Sequence, residues 1–379
     1  MSIPPFLLLF WLTGLLSLAL LGAGGWLIWE WYDNWVRDLP ANPRFLVGGL
    51  LLLALTLLGR PLLAPWLGRP PQAGEEEPAP LTGGTVHRLP RPDGTELHVE
   101  EYGPADAPVL VFTHGWGLSH DEWFYAQRYF GDRFRLLLWD LPGLGQSQAA
   151  RQHDDDLAHM ARDLEAVLSL AKGHPALLCG HSIGGMITLT FCRLFPERLG
   201  TQVVGLVLTH TTFTNPVNTA WGARLFRPLQ NPVLRPLCFL TSALWPLVWV
   251  MNRLGELNGS AHLLNHFLQF GGRETRGQLN FFTSLGQRAH PAVVARGMLA
   301  MTRYEAAGVL PALPVPALVV AASSDKATSP EASRFMTTHI PHAREVVLSP
   351  AGHLGLIEQH QAWCRAVDDF AKACFQPGV

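Results

Sequence analysis

Residues 178–186 read Leu-Cys-Gly-His-Ser-Ile-Gly-Gly-Met, with Ser182 set between Gly180 and Gly184. An apolar run at 176–179 precedes the serine and a helix-compatible stretch at 186–194 follows it, so the pattern predicts a strand, a sharp turn and a helix. Such a turn holds its central residue in strained backbone geometry, needs small flanking residues for close approach, and presents the hydroxyl at the edge of a sheet. The amide of Ile183, at the start of the helix, then points to where an oxyanion would form. Taken alone, the same residues also suit a helix N-cap serine with glycines for packing. The surrounding chain has to decide between the two.

Moving outward, short apolar runs recur at 109–112, 136–139, 203–208, 317–321 and 346–348, each followed by polar or glycine-bearing turns. Helical spacing lies between them, as in Leu157, Met160, Ala161, Leu164, Val167 and Leu168. This alternation predicts a parallel sheet covered by helices, and in such sheets ligands bind beyond the carboxyl ends of the strands. His153 with Asp154, Asp155 and Asp156 has the residue types of a metal cluster, but it falls at a helix start, where the dipole favours acidic side chains.

Three strand ends weigh against the packing reading of Ser182. His114-Gly115-Trp116-Gly117 follows 109–112, and the amide of Trp116 there offers a second oxyanion donor; His114 is expected to shape the loop rather than act as a base. Ser323-Ser324-Asp325 follows 317–321 and places a carboxylate to orient a histidine, although the following Lys326, Thr328, Ser329 and Pro330 also suit an Asx-type turn. Pro350-Ala351-Gly352-His353 follows 346–348 in a glycine-loosened loop that can lower the ring onto Ser182. His120, His210 and His290 read as structural, whereas His353 completes the chain order Ser, Asp, His. Asp163 and Glu305 are the alternative acids, but neither follows a strand as Asp325 does.

Residues 107–117 (APVLVFTHGWG), 136–147 (LLLWDLPGLGQS), the GHSIGG turn, 319–330 (VVAASSDKATSP) and 349–359 (SPAGHLGLIEQ) together resemble the α/β-hydrolase superfamily, in the branch holding esterases, monoacylglycerol lipases and many bacterial hydrolases. The resemblance extends over about residues 85–375. It implies a mostly parallel eight-stranded sheet flanked by helices and carrying a helical cap. It further implies Ser182 as nucleophile, His353 as general base and acid, Asp325 as the orienting acid, and Trp116 and Ile183 as oxyanion amides. Gly180, Gly184, His114 and Gly115 would support the elbow and loop, and Asp140 with Pro142, Gly143 and Gly145 would form the turn after the fourth strand. Members of this fold with aspartate at the elbow form alkyl-enzyme esters, so a serine points to acyl chemistry. No cofactor and no metal are expected.

The chain of 379 residues is 48% hydrophobic and only 15% charged, too apolar for an ordinary soluble domain of this length. Residues 6–29 carry no charge, and at ~1.5 Å per residue a helix of that length crosses a hydrocarbon core of ~30 Å. The absence of Lys or Arg from residues 1–5 argues against a cleaved signal peptide. A second stretch, 45–59, ends at Arg60-Pro61 and spans only if 61–67 continues the helix or Arg60 snorkels. Residues 1–68 are therefore expected to be a membrane anchor, most simply a two-helix hairpin, with one span plus an interfacial helix as the alternative. Trp31, Tyr32 and Trp35 between the stretches suit headgroup depth. The balance of arginines places both termini and the large domain in the cytoplasm, on a bacterial inner membrane. Residues 69–84 read as a linker, and 85–375 as the hydrolase domain.

Between about 211 and 309 the alternation is interrupted, as expected of a cap. Residues 236–252 within it are uncharged and broken by proline, so they either lean on the bilayer or pack on the core and line an acyl pocket. Phe267, Phe270, Phe281 and Phe282 would add to an apolar wall. The five cysteines show no metal spacing and read as buried thiols, and a net charge of -2 gives no argument for nucleic acid. The expected partners are the bilayer and a lipid or other ester substrate. An acyltransferase working through the same acyl-enzyme is the alternative function, and a non-catalytic membrane binding module a further one.

Overall fold

A computed structural model of the chain describes residues 4–71, 74, 76–148 and 156–376. His153 and its neighbouring Asp154 and Asp155 lie outside the described residues. Eight strands form one sheet in the order β1-β2-β4-β3-β5-β6-β7-β8. Strands β3 (Val109–Thr113), β4 (Arg135–Trp139), β5 (Ala176–His181), β6 (Val203–Thr209), β7 (Ala317–Ala322) and β8 (Ala343–Leu348) coincide with the six apolar runs and pair in parallel. Alternation within each run serves both faces of the sheet: Val109, Val111, Leu137 and Trp139 enter one core cluster, while Leu110, Phe112, Leu136 and Leu138 enter the other.

Strands β1 (Thr85–Pro90) and β2 (Glu96–Tyr102) are absent from the apolar runs. Both are antiparallel; β1 (TVHRLP) is the sheet edge and buried only in part, whereas β2 (ELHVEEY) is mostly buried and interrupts its apolar residues with His98 and Glu100. Helices Leu157–Ser169 and Ile183–Leu194 cover the first face, and His360–Phe375 covers the second through Trp363, Val367 and Phe370.

Between β6 and β7 the described chain is helical almost throughout, with helices Arg235–Ala243, Trp245–Asn258, Ser260–Gln269, Arg276–Arg288 and Pro291–Met301. The uncharged stretch of this insertion is not one straight rod, because Ala223–Ala243 and Trp245–Asn258 meet at a bend of 96°.

The N-terminal part begins with α1 (Pro4–Val36), a helix of 33 residues that is long and apolar enough to cross a membrane. Helix α2 (Pro43–Leu58) packs along it where Gly24 meets Gly49; a Cβ on Gly49 would stand 2.7 Å from the Gly24 carbonyl oxygen. The continuation proposed through Pro61 does form helix, but it turns by 72° at Gly59, so α2 and residues 60–66 do not make one straight span. Four of the five cysteines are buried and Cys374 is half-buried, and all are free thiols.

The start of α1 belongs to the protein core. Leu7 and Trp11 share a hydrophobic cluster with the sheet face and with Val248, Met251 and Val293 of the insertion. Trp11 Nε1 donates to Thr241 Oγ1 at 2.8 Å, and Asn258 Nδ2 donates to Ser17 Oγ at 2.8 Å. Described residues of the stretch 69–84, expected as a linker, also contact the insertion: Arg69 exchanges backbone hydrogen bonds with Glu274 and Arg276, and the Glu77 carboxylate accepts from Thr275 Oγ1 at 2.7 Å. Composition marks these residues as turn-forming, but not whether their backbone groups find partners on the insertion.

Candidate active site

Ser182 stands between β5 and helix Ile183–Leu194 with φ 54° and ψ -119°, a conformation rare for a residue with a side chain. Flanking glycines make it possible. A Cβ on Gly180 would lie 2.4 Å from the backbone of Gly184, and one on Gly184 would lie 2.2 Å from the Thr113 carbonyl oxygen. Ser182 N donates to Thr209 O at 3.0 Å, and Thr211 Oγ1 donates to Ser182 O at 2.5 Å, so strand β6 and the residues after it hold the turn from the next strand over.

His353 comes to this serine from the loop after β8. Its Nε2 is 2.9 Å from Ser182 Oγ, and its Nδ1 is 2.9 Å and 3.1 Å from the two carboxylate oxygens of Asp325. Asp325 also accepts from the amides of Ala327 and Thr328 at 2.7 and 2.9 Å and from Thr328 Oγ1 at 2.9 Å. The Asx-type turn and the carboxylate facing a histidine were alternatives in the sequence, and one side chain does both. Burial opposes charge on Asp325, but His353 and these donors outweigh it and hold the carboxyl below its ordinary range. Neither alternative acid makes such a contact: Asp163 pairs with Arg91 at 2.7 Å, and Glu305 accepts from Thr214 Oγ1 at 2.7 Å.

After β3, the chain brings Gly115 so close to the elbow that a Cβ would stand 2.7 Å from His181 Nδ1. His114 Nε2 accepts from the Leu141 amide at 3.0 Å, so its Nδ1, 2.8 Å from Gly115 O, carries the proton. Burial lowers its pKa, and the ring is a neutral brace for the loop. The Trp116 indole points into the insertion, where Nε1 donates to Val294 O at 2.9 Å. Ile183 opens the helix at the elbow and is buried.

The three histidines read as structural, His290, His210 and His120, have partners or surroundings other than Ser182. His290 Nδ1 accepts from the Ala292 amide at the start of helix Pro291–Met301. His210 lies buried with ring centroids 5.9 Å from His181 and 6.4 Å from His353, and burial pushes its pKa down to about 3, so it is neutral. His120 binds Asp140 Oδ2 through Nδ1 at 2.9 Å, while its Nε2 is 3.3 Å from Glu100 Oε1. Burial opposes its charge, yet these carboxylates raise its pKa to about 10. With His98 and Glu100 it forms a group of ligand-type atoms within 4.8 Å of one another, in which His98 Nε2 lies 3.1 Å from Glu100 Oε1 and Tyr102 donates to Glu100. Asp140 closes the turn after β4 by accepting from the amides of His120 and Gln146 at 2.7 and 2.8 Å.

Of the four phenylalanines expected to wall the cap, Phe270 and Phe282 are buried in the second core cluster, Phe281 packs against it, and Phe267 is exposed. Three residues near the site escaped the sequence reading. Glu358 accepts from the amides of Gly352, Gly271 and Arg273 at 2.7, 2.8 and 3.0 Å, which pins the His353 loop to the insertion. Glu122 and His181 meet beneath the elbow. A strand-to-helix serine marks His181 as its neighbour, but nothing in the spacing points to either glutamate.

A mostly parallel sheet with a strained serine after its central strand, reached by a histidine and an aspartate from later strand ends, defines the class of α/β hydrolases. The family model of the alpha/beta hydrolase fold matches residues 108–359, and the chain belongs to that family. The pimeloyl-[acyl-carrier protein] methyl ester esterase of Nitrosomonas europaea is 25% identical over 261 residues, covering 68% of this chain and 92% of that protein. An esterase of Exiguobacterium antarcticum shares the fold with a TM-score of 0.61 at 21% identity, over 76% of this chain and 100% of its own. A bacterial membrane phospholipase A shares it with a TM-score of 0.61 at 21% identity, over 78% and 88%.

Proposed function

We propose that the chain is a membrane-associated serine esterase that cleaves carboxylic esters of apolar acyl chains through an acyl-enzyme on Ser182. The observation that carries this reading is the hydrogen-bonded line from Ser182 Oγ through both nitrogens of His353 to Asp325. His353 Nε2 takes the hydroxyl proton as Oγ attacks the ester carbonyl, and Asp325 stabilises the imidazolium that results. The amides of Trp116 and Ile183 hold the tetrahedral oxyanion. As the carbon–oxygen bond to the alcohol breaks, His353 returns the proton to the leaving oxygen. Water then attacks the acyl carbon with His353 again as base, releasing the acid and restoring Ser182.

A lipid substrate is supported by where apolar surface lies. Large apolar side chains are exposed on α1 (Leu12, Leu16, Trp26), on α2 (Leu50, Leu51) and on the insertion (Phe239, Trp245, Trp249). The insertion is joined to α1 through Trp11, Thr241, Asn258 and Ser17, so a bilayer that receives α1 also meets the insertion. An esterase of a methyl ester and a membrane phospholipase A among the similar proteins agree with an ester substrate at a lipid-facing site.

The test is fluorophosphonate labelling of detergent-solubilised protein, wild type beside Ser182→Ala, followed by a series of esters of increasing acyl length. Labelling confined to the wild type and turnover rising with acyl length are expected. An unlabelled, folded wild type overturns the nucleophile, and a preference for short acyl groups overturns the lipid substrate. Transfer of the acyl group to an added alcohol in preference to water would make the enzyme an acyltransferase.

A further inference from the structure

Glu122 is fully buried, and its two carboxylate oxygens are used separately. Oε2 accepts the Gly115 amide at 2.7 Å, in the loop that offers the Trp116 oxyanion donor. Oε1 lies 2.5 Å from Nδ1 of His181, the residue that immediately precedes Ser182. The other nitrogen of His181, Nε2, is 3.0 Å from the backbone carbonyl oxygen of His353. A carbonyl accepts and cannot donate, so Nε2 carries a proton, while Nδ1 stands against the Glu122 carboxylate. Burial opposes charge on the ring, but the Glu122 carboxylate outweighs it and raises the His181 pKa, which makes the two an ion pair.

We propose that the Glu122–His181 ion pair is a positioning device that fixes the oxyanion loop and His353 relative to one another, and so governs turnover without touching the substrate. One carboxylate reaches the loop, and its imidazolium partner reaches the backbone of the general base. Both groups are buried to completion, where a pair of charges contributes little net stability and losing one partner is costly. Retention of such a pair is explained by the geometry it enforces.

This inference rests on the Ser182 reading, and the experiment separates the two. Wild type, Glu122→Gln and the double variant Glu122→Gln/His181→Asn are compared for fluorophosphonate labelling, kcat and KM, with thermal unfolding as a control for folding. The double variant keeps polar groups of similar shape without buried charge, so it provides a folded comparison if the single variant unfolds. Expected is a loss of about 10²-fold in kcat with KM nearly unchanged, as for catalytic groups displaced by about an ångström. A labelled wild type beside folded variants with wild-type kcat would overturn the positioning role alone. A folded wild type that does not label overturns the Ser182 reading itself.

Discussion

Gly297, in the insertion, leaves the space that the Trp116 indole occupies: a Cβ at that glycine would stand 2.0 Å from Trp116 Cζ2. The loop after β3 is therefore shaped from outside the sheet, by a helix that also accepts the indole hydrogen bond at Val294. Gly297→Ala is expected to displace the ring, lower stability by about 1–3 kcal/mol as overpacked sites do, and reduce kcat by a larger factor than the stability loss explains. Thermal unfolding and ester turnover on the same preparation check this; full activity with an unchanged Tm would show that the loop does not depend on the ring's seat.

Asp325→Asn keeps the shape of the acid but not its charge. Turnover is expected to fall by about 10⁴-fold with the fold intact, because an amide no longer holds the imidazole in its working tautomer. Steady-state hydrolysis of a chromogenic ester reads the effect. Undiminished turnover would remove Asp325 from the mechanism.

Docking of α1 on the insertion has its own signature. Thr241→Val deletes the acceptor for Trp11 Nε1 at a buried site and is expected to cost about 1–3 kcal/mol, the penalty for an unsatisfied donor. Adding Trp11→Phe removes the donor as well and should recover part of that loss, since no unpaired group remains. Melting temperatures in detergent for the two single variants and the double complete the cycle, and additive effects would deny the contact.

His120 predicts a stability change on the alkaline side. Its pKa is raised from 6.5 to about 10 against the opposition of burial, by Asp140 and Glu100, with Asp121 nearby. A folded pKa above the unfolded one means that the contribution is fully present below pH ~6.5 and is lost as pH rises toward 10, at up to about 1.4 kcal/mol per pH unit. His120→Gln should be less stable at neutral pH and should show a flatter dependence over that window. Denaturant unfolding at several pH values measures it, and parallel curves for the two proteins would refute the assignment.

The apolar runs and the residues that end them were legible because the sheet is parallel and buried on both faces, so its strands need continuous hydrophobic sequence. Strand β1 escaped because an exposed antiparallel edge imposes no such demand, and β2 because its buried positions include His98 and Glu100, which meet each other only in the folded chain. Ser182 was legible from its glycines together with the flanking strand and helix patterns, since the crowding of Gly180 against Gly184 acts between residues close in sequence. The roles of Glu122 and Glu358 were not, because each is defined by amides far along the chain or by a ring on another strand.

By itself, the sequence determined the family resemblance through its combined motifs, and, through hydrophobic period and local sterics, the positions of the sheet's core strands along the chain, the residues at their ends and an apolar N-terminal stretch. Only the tertiary structure decided that Asp325 serves its own turn and His353 together, that Trp116 is seated by the insertion, and that α1 is built into the core through Leu7 and Trp11. Contacts of that kind depend on where distant segments arrive in space. The energy that selects them is burial and hydrogen-bond satisfaction at the meeting point, which no local pattern encodes.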